Sequence, residues 1–223
     1  MTLSVTEIEV RLPDKAQRAS RSFSRSKPMA EVTLILENCR SREIVVPTRV
    51  GRILRDEGIA LPQEEDAAFD AIHALEGRVC FTMLTELLSR RDHGTQEARE
   101  KLALYGFRLQ EIDAALARAT EMRFLDDARF ASYFIEERKR RGWGRRKIEM
   151  ELKRKGIDPE EIEGFPEAFF DEDDEAVRAR AILSRKSIPE GRAFDKLVRH
   201  LMSKGFSYSV AADAVKERLS DEQ

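Results

Sequence analysis

A chain of 223 residues with 40 Lys/Arg against 42 Asp/Glu is long enough for one sizeable core or two small ones, and its net charge of −2 argues against avid, phosphate-dominated binding to duplex DNA. Cys39 and Cys80 stand far apart with no CxxC or histidine spacing, which excludes a disulfide scaffold and reads as two reduced thiols. No apolar run approaches membrane length and the N-terminus lacks an apolar signal core, so the cytoplasm is the expected location.

Residues 3–12 alternate apolar and polar side chains, the pattern of a strand with one buried face. Residues 13–29 form a basic, serine-rich stretch bounded by prolines, too polar to order itself by burial. It reads as a solvated loop or as a basic arm touching nucleic acid. Residues 31–37 and 43–47 are two further β-type runs around a turn at 38–42, which suggests a small antiparallel sheet that another element must cover. Helical segments near Thr48–Glu57 and Glu65–Leu75 are the candidates, punctuated by Gly58 and Pro62, with Gly77 ending or kinking the second. Residues 1–65 thus form a β-rich N-terminal segment.

The rest of the chain is helical and repeats. Leu102-x-x-Tyr105-Gly106-Phe107, Leu152-x-x-Lys155-Gly156-Ile157 and Leu201-x-x-Lys204-Gly205-Phe206 are one helix ending written three times at nearly constant spacing. Ala98, Ile148 and Leu197 precede each Leu by one helical turn, and Ile112, Ile162 and Ala211 follow at a common offset. Three tandem units are expected, over 66–120, 121–170 and 171–223. Each has a long first helix, a second ending at the Gly and a short third, the third helices being Leu109–Thr120, one starting at Asp158-Pro159-Glu160-Glu161, and one from about Ser207 to Leu219. One unit has too few core side chains to fold alone, so the expected fold is mainly α, with neighbouring units stacked in an elongated, curved array.

The central unit carries the densest chemistry. Asp126 is a good N-cap with Asp127 in the first turn, and Phe130, Ala131 and Phe134 recur at the spacing of a buried helix face. From Arg138 to Lys155 there are ten Lys/Arg and two Glu; from Asp158 to Glu175 there are ten Asp/Glu and no basic residue. Arg138, Lys139, Arg140, Arg141, Arg145, Arg146 and Lys147 flank Trp143 in a basic elbow suited to phosphate contacts with base stacking, or to cation–π contacts with a protein. Alternatively, Trp143 wedges between adjacent units and the charges are solvated. Glu149→Lys153 and Glu151→Lys155 have the favourable order for intrahelical pairs, which leaves Arg138–Arg141 and Arg145–Arg146 as the freer donors. Reversing the charges of Arg140 and Arg145 together should then leave the fold intact. Tyr133 lies one position off the apolar stripe, at the core edge or in a contact surface. Arg129 suits a neighbouring carboxylate, while Gly156 and its two counterparts suit a positive φ.

No catalytic constellation emerges. His73, His93 and His200 lie near no cysteine and form no HExxH, so they read as surface or helix-end residues. Asp171–Glu175 lacks the spacing of a calcium loop and instead loads the first turn of the next helix. A non-enzyme without metal or cofactor is expected.

The layout of Asp126, Asp127, Arg129, Phe130, Ala131, Tyr133, Arg138, Gly142, Ile148, Glu151, Leu152, Lys155, Gly156 and Ile157 resembles the signature of the RecX family, bacterial regulators of the RecA recombinase. The resemblance implies three tandem three-helix repeats that lie in the groove of the RecA–DNA filament and limit its growth, ATPase, strand exchange and coprotease activities. Homologous recombination, DNA repair and the SOS response are the implied setting. The RecA filament is the implied partner, DNA, single- or double-stranded, a second one; a free-standing DNA-binding helical repeat is the alternative reading. The resemblance is faint over the first sixty residues. No self-pairing heptad is visible, so a monomer is expected.

Overall fold

The computed structural model describes residues 3–14 and 27–221. Most of the 13–29 loop therefore lies outside the described residues. The protein is mainly helical with a small N-terminal sheet, and it divides into two compact units, one ending at Leu125 and one beginning at Asp126.

In the N-terminal unit, strands β1 (Ser4–Arg11), β2 (Met29–Leu36), β3 (Ser41–Pro47) and β4 (Gln63–Glu64) form an antiparallel sheet in the order β3-β2-β1-β4. Alternation along β2 sends Ala30, Val32, Leu34 and Leu36 into the core. Strand β2 starts at Met29, inside the stretch read as loop, and the two-residue β4 is too short to show in the sequence. Helix α1 (Thr48–Glu57) buries Val50 and Leu54. Helices α2 (Glu65–Leu88), α3 (Thr95–Leu104) and α4 (Leu109–Glu121) share one continuous core with the sheet.

Gly77 does not end α2, which runs unbroken from Glu65 to Leu88. The Glu111 carboxylate occupies the space that a Cβ at Gly77 would need, so this glycine serves packing. His93 is also not a surface residue. It is 3% exposed with Nδ1 3.1 Å from Glu97 Oε1, and burial, reinforced by Arg91, lowers its pKa. Both cysteines are free, Cys39 exposed and Cys80 buried. Burial first, then the charges of Glu76 and Glu111, push the Cys80 thiol up to about 12. A thiol reagent at neutral pH is accordingly expected to titrate Cys39 in the native protein and Cys80 only after unfolding. Rapid labelling of both in buffer would contradict this placement.

The C-terminal unit contains α5 (Asp127–Arg140), α6 (Arg145–Arg154), a single 3-10 turn (Pro159–Glu161), α7 (Glu172–Ser184), α8 (Ala193–Ser203) and α9 (Tyr208–Ser220). It has two apolar clusters, one around Phe130, Phe134, Ile148 and Leu152, the other around Leu183, Leu197, Leu201 and Phe206. The helix expected from Asp158 is reduced to the 3-10 turn. Asp158 does cap it, accepting from Glu160 N at 3.2 Å, but Gly164 turns to φ +75 and Pro166 has no N–H to continue a helix. Phe165, Phe169 and Phe170 pack beside that core instead.

The three repeated endings are one hydrogen-bond motif. Gly106, Gly156 and Gly205 adopt φ of +89, +76 and +96. Their amides bond back to Ala103, Lys153 and Met202 carbonyls, and the following Phe107, Ile157 and Phe206 amides reach Leu102, Leu152 and Leu201 carbonyls. That pair of bonds is the Schellman cap, which closes a helix where a residue without Cβ can enter the left-handed region. It drops an apolar side chain onto the core each time, at 5%, 7% and 1% exposure. Among the described residues no helix is long and apolar enough to cross a membrane.

Candidate partner-binding site

The elbow between α5 and α6 begins as a fourth copy of that cap. Gly142 has φ +76, its amide bonds to Lys139 O at 2.9 Å, and the Trp143 amide bonds to Arg138 O at 3.0 Å. In this motif the residue after the glycine folds back onto the residue whose carbonyl it takes. Here that contact is indole on guanidinium, with Arg138 4.8 Å from the Trp143 ring and 4.7 Å from the Phe134 ring. Lys147 approaches the same indole from the next helix at 4.2 Å. The half-buried Trp143 is thus engaged by the protein's own cations and packs beside the central core.

The start of α6 is completed by the segment that follows it in sequence. Gly144, its N-cap, offers no side chain, and the three residues after it are cations at the positive end of a helix, where charge of that sign is disfavoured. Compensation comes from α7 and α8. Glu175, 9% exposed, accepts from the Arg145 amide at 2.9 Å. The Gly144 amide donates to Lys204 O at 2.8 Å and the Arg146 amide to Gly205 O at 3.1 Å. Arg178 returns a bond to the Trp143 carbonyl at 2.8 Å. The four groups splice the central helices to α7 and to the end of α8.

The splice leaves fewer free donors than the sequence suggests. Arg138 pairs with Glu137 at 3.3 Å, and the Arg138 side chain is 22% exposed. Lys139 donates to Glu136 at 3.1 Å and to the Phe169 carbonyl at 2.7 Å, with Asp174 at 3.7 Å. Arg145 pairs with Glu149 at 2.6 Å, in place of the Glu149–Lys153 pair, and lies 5.8 Å from the Phe165 ring. Arg141 is exposed but bonded to Glu137. Arg140, which reaches only the Glu136 carbonyl, and Arg146 are the exposed cations of the elbow that no carboxylate holds among the described residues. Tyr133 is 62% exposed on α5. Asp126 accepts from the Arg129 amide at 2.9 Å and caps α5, Asp127 occupies its first turn, and Glu151 accepts from Arg154 at 2.6 Å. Phe130, Ile148, Leu152 and Ile157 are buried.

Sequence reasoning missed Glu175, Arg178 and Gly205, because each meets the elbow from thirty or more residues further along the chain. The only signal was that the acidic run follows the basic one. A cleft of about 660 Å³ beside the elbow is lined by Arg145, Arg146 and Arg180 but also by Glu175, Asp213 and Glu217, so it is no phosphate cradle. No group of three or more His, Cys, Asp or Glu suited to a metal exists among the described residues.

Residues 126–164 match the family described as "RecX, second three-helix domain". The chain is 33% identical over 148 residues to a "Regulatory protein RecX" of Vibrio vulnificus, covering 64% of this chain and 92% of that one. It is 28% identical to the "Regulatory protein RecX" of Caldanaerobacter subterraneus over 68% of this chain and 75% of the relative. Two crystal structures share the fold: RecX from Lactobacillus salivarius, with a TM-score of 0.55 and 18% identity over 65% of this chain and 97% of that one, and a regulatory protein RecX, with a TM-score of 0.58 and 18% identity over 96% and 99%.

Proposed function

The chain belongs to the RecX family of regulatory proteins, and from that premise we propose that it is a non-catalytic modulator of the RecA recombinase, binding the RecA–DNA filament and limiting its growth, ATPase and strand exchange. The observation that carries this reading is the identity of 33% along 92% of a RecX regulator. The site geometry supports it, because the central unit offers an exposed, hydrogen-bonded elbow with no catalytic grouping among the described residues. Of the partner-binding residues read from the sequence, Tyr133, Arg140, Arg141 and Arg146 are the exposed ones. Arg138, Lys139, Trp143, Arg145 and Lys147 support the surface from within, through ion pairs and ring contacts. The protein works in this reading as tandem modules docked onto another assembly, in the cytoplasm where such filaments form.

The test is the single-strand-dependent ATPase of RecA from the same organism. Added protein is expected to lower the rate, and no change at saturation would remove the reading. Arg140→Glu with Arg146→Glu is the informative variant. Arg145→Glu is a poor choice, since it would set a carboxylate against Glu149 and Glu175. Both chosen residues are exposed, so the melting temperature should stay within a few degrees of wild type, while the concentration needed for half-inhibition should rise at least about tenfold. Undiminished inhibition by this variant would dismiss the elbow as the contact.

A further inference from the structure

The elbow is dense in cations, yet most of its charge is neutralised internally. A second group of unneutralised cations in the C-terminal unit lies elsewhere. A hollow of about 470 Å³ between the end of α7 and α8 is lined by Lys186, Pro189, Lys196, Arg199, His200 and Ser203, with no carboxylate among them. No ion pair engages Lys186, Lys196, Arg199 or Lys204 among the described residues; Lys196 Nζ reaches only the Glu190 carbonyl, at 3.0 Å. Lys186 and Lys204 both depress the pKa of His200 after the larger effect of burial, so their charges converge on the same spot.

The hollow adjoins a groove of about 590 Å³ that shares Arg199 and Ser203 with it. Phe194, Val198, Met202 and Tyr208 line that groove, with Asp195 also on it. Tyr208 is 58% and Met202 43% exposed. Cations next to an open aromatic and apolar shelf match the two halves of an unpaired nucleotide, phosphate and base face. A duplex hides its base faces, and an acidic peptide carries no ring at the repeat of its charges.

We propose that the hollow and shelf formed by Lys186, Lys196, Arg199, Met202 and Tyr208 are a binding site for single-stranded nucleic acid, separate from the elbow. The site goes beyond the filament reading and does not depend on it: RecA is absent from its test. The hollow takes the backbone phosphates and Tyr208 stacks on a base.

The experiment is fluorescence anisotropy of the full chain with fluorescein-labelled oligo-dT across a salt series. Lys196→Ala with Arg199→Ala is expected to weaken binding at least about tenfold and to shrink the slope of log K against log salt by roughly 0.7 for each phosphate no longer neutralised. Tyr208→Ala is expected to weaken binding about fivefold or more with the slope unchanged, since stacking releases no counterions. Arg140→Ala with Arg146→Ala should leave both quantities near wild type. All these side chains are exposed, and circular dichroism melts verify that each variant folds. No binding by the wild-type chain, or equal binding by the Lys196/Arg199 variant, overturns the proposal. A deficit confined to the elbow variant does so too, as does equal affinity for duplex of the same length or equally effective competition by polyglutamate.

Discussion

Gly144→Ala is expected to destabilise the C-terminal unit by about 1–3 kcal/mol, the cost of forcing a methyl into a filled space. The sign is what makes the experiment decisive. Gly144 has φ −82 and ψ 164, an extended conformation that alanine adopts freely. Replacing glycine there would ordinarily stabilise by roughly 0.4–1 kcal/mol through the unfolded chain. In this protein the new Cβ would strike the Gly205 carbonyl and the Phe206 amide, backbone atoms that cannot swing aside as a side chain would. Gly205→Ala should cost more, about 2–4 kcal/mol, because its Cβ meets the Lys147 backbone and its φ of +96 is itself unfavourable for alanine. Gly191→Ala is the control, with φ +62 and open space around it, and should cost only about 1 kcal/mol. Urea unfolding followed by Trp143 emission is the measurement, since the chain's single tryptophan sits beside the splice. A neutral or stabilising Gly144→Ala would mean that α6 is not closed by Lys204 and Gly205.

What was legible in the sequence is what short-range chemistry decides. The three Schellman endings announce themselves because the left-handed position demands glycine and the next position demands an apolar side chain, both within six residues. Strand β1 shows in its alternation, β2 and β3 show as β-type runs, and α1 runs over the residues expected of it, Thr48–Glu57. Asp126 caps α5 through a bond to an amide three residues on, again a local event. The failures are mostly tertiary. Gly77 has the local look of a breaker, yet α2 continues through it, and Glu111, from α4, lies where its side chain would be. Asp158-Pro159-Glu160-Glu161 has every start signal of a helix but not the residues to extend one, and only the start was formed. The elbow shows the limit most plainly. A run of cations in sequence says nothing about where their counter-charges arrive from, and Asp174 and Glu175 come from α7. Conversely, Lys186, Lys196, Arg199 and Lys204 are spread over the loop before α8, α8 itself and its C-cap and form no run, so no local pattern could have marked them.

Glu76→Ala is expected to cost the N-terminal unit about 2–4 kcal/mol, from the amide it leaves unpaired and the void it opens. Glu76 is 1% exposed, and a carboxylate is buried in a protein only where groups of opposite sign or good donors hold it. It accepts from the Arg108 amide at 2.9 Å and from Arg108 Nε at 3.2 Å, with His73 Nδ1 at 3.8 Å. Arg108 is the N-cap residue of α4 and its own side chain caps nothing, so Glu76 satisfies the start of that helix from across the core. Truncation leaves that amide without a partner, worth about 1–3 kcal/mol before the packing term is added. The Arg108 side chain is 39% exposed and can turn to water, which keeps the cost below that of a fully buried charge left alone. Glu76→Gln retains an acceptor oxygen and should recover roughly half of the stability. A second readout separates this role from general softening of the core. After burial, Glu76 and Glu111 both hold up the Cys80 thiol, so Glu76→Gln should lower its pKa, read as thiolate absorbance of the folded protein on raising pH. Leu54→Ala opens a cavity in the same core but keeps both carboxylates, and should leave that pKa where it is. A thiol that responds equally to the two substitutions would show that Glu76 acts on Cys80 through stability alone.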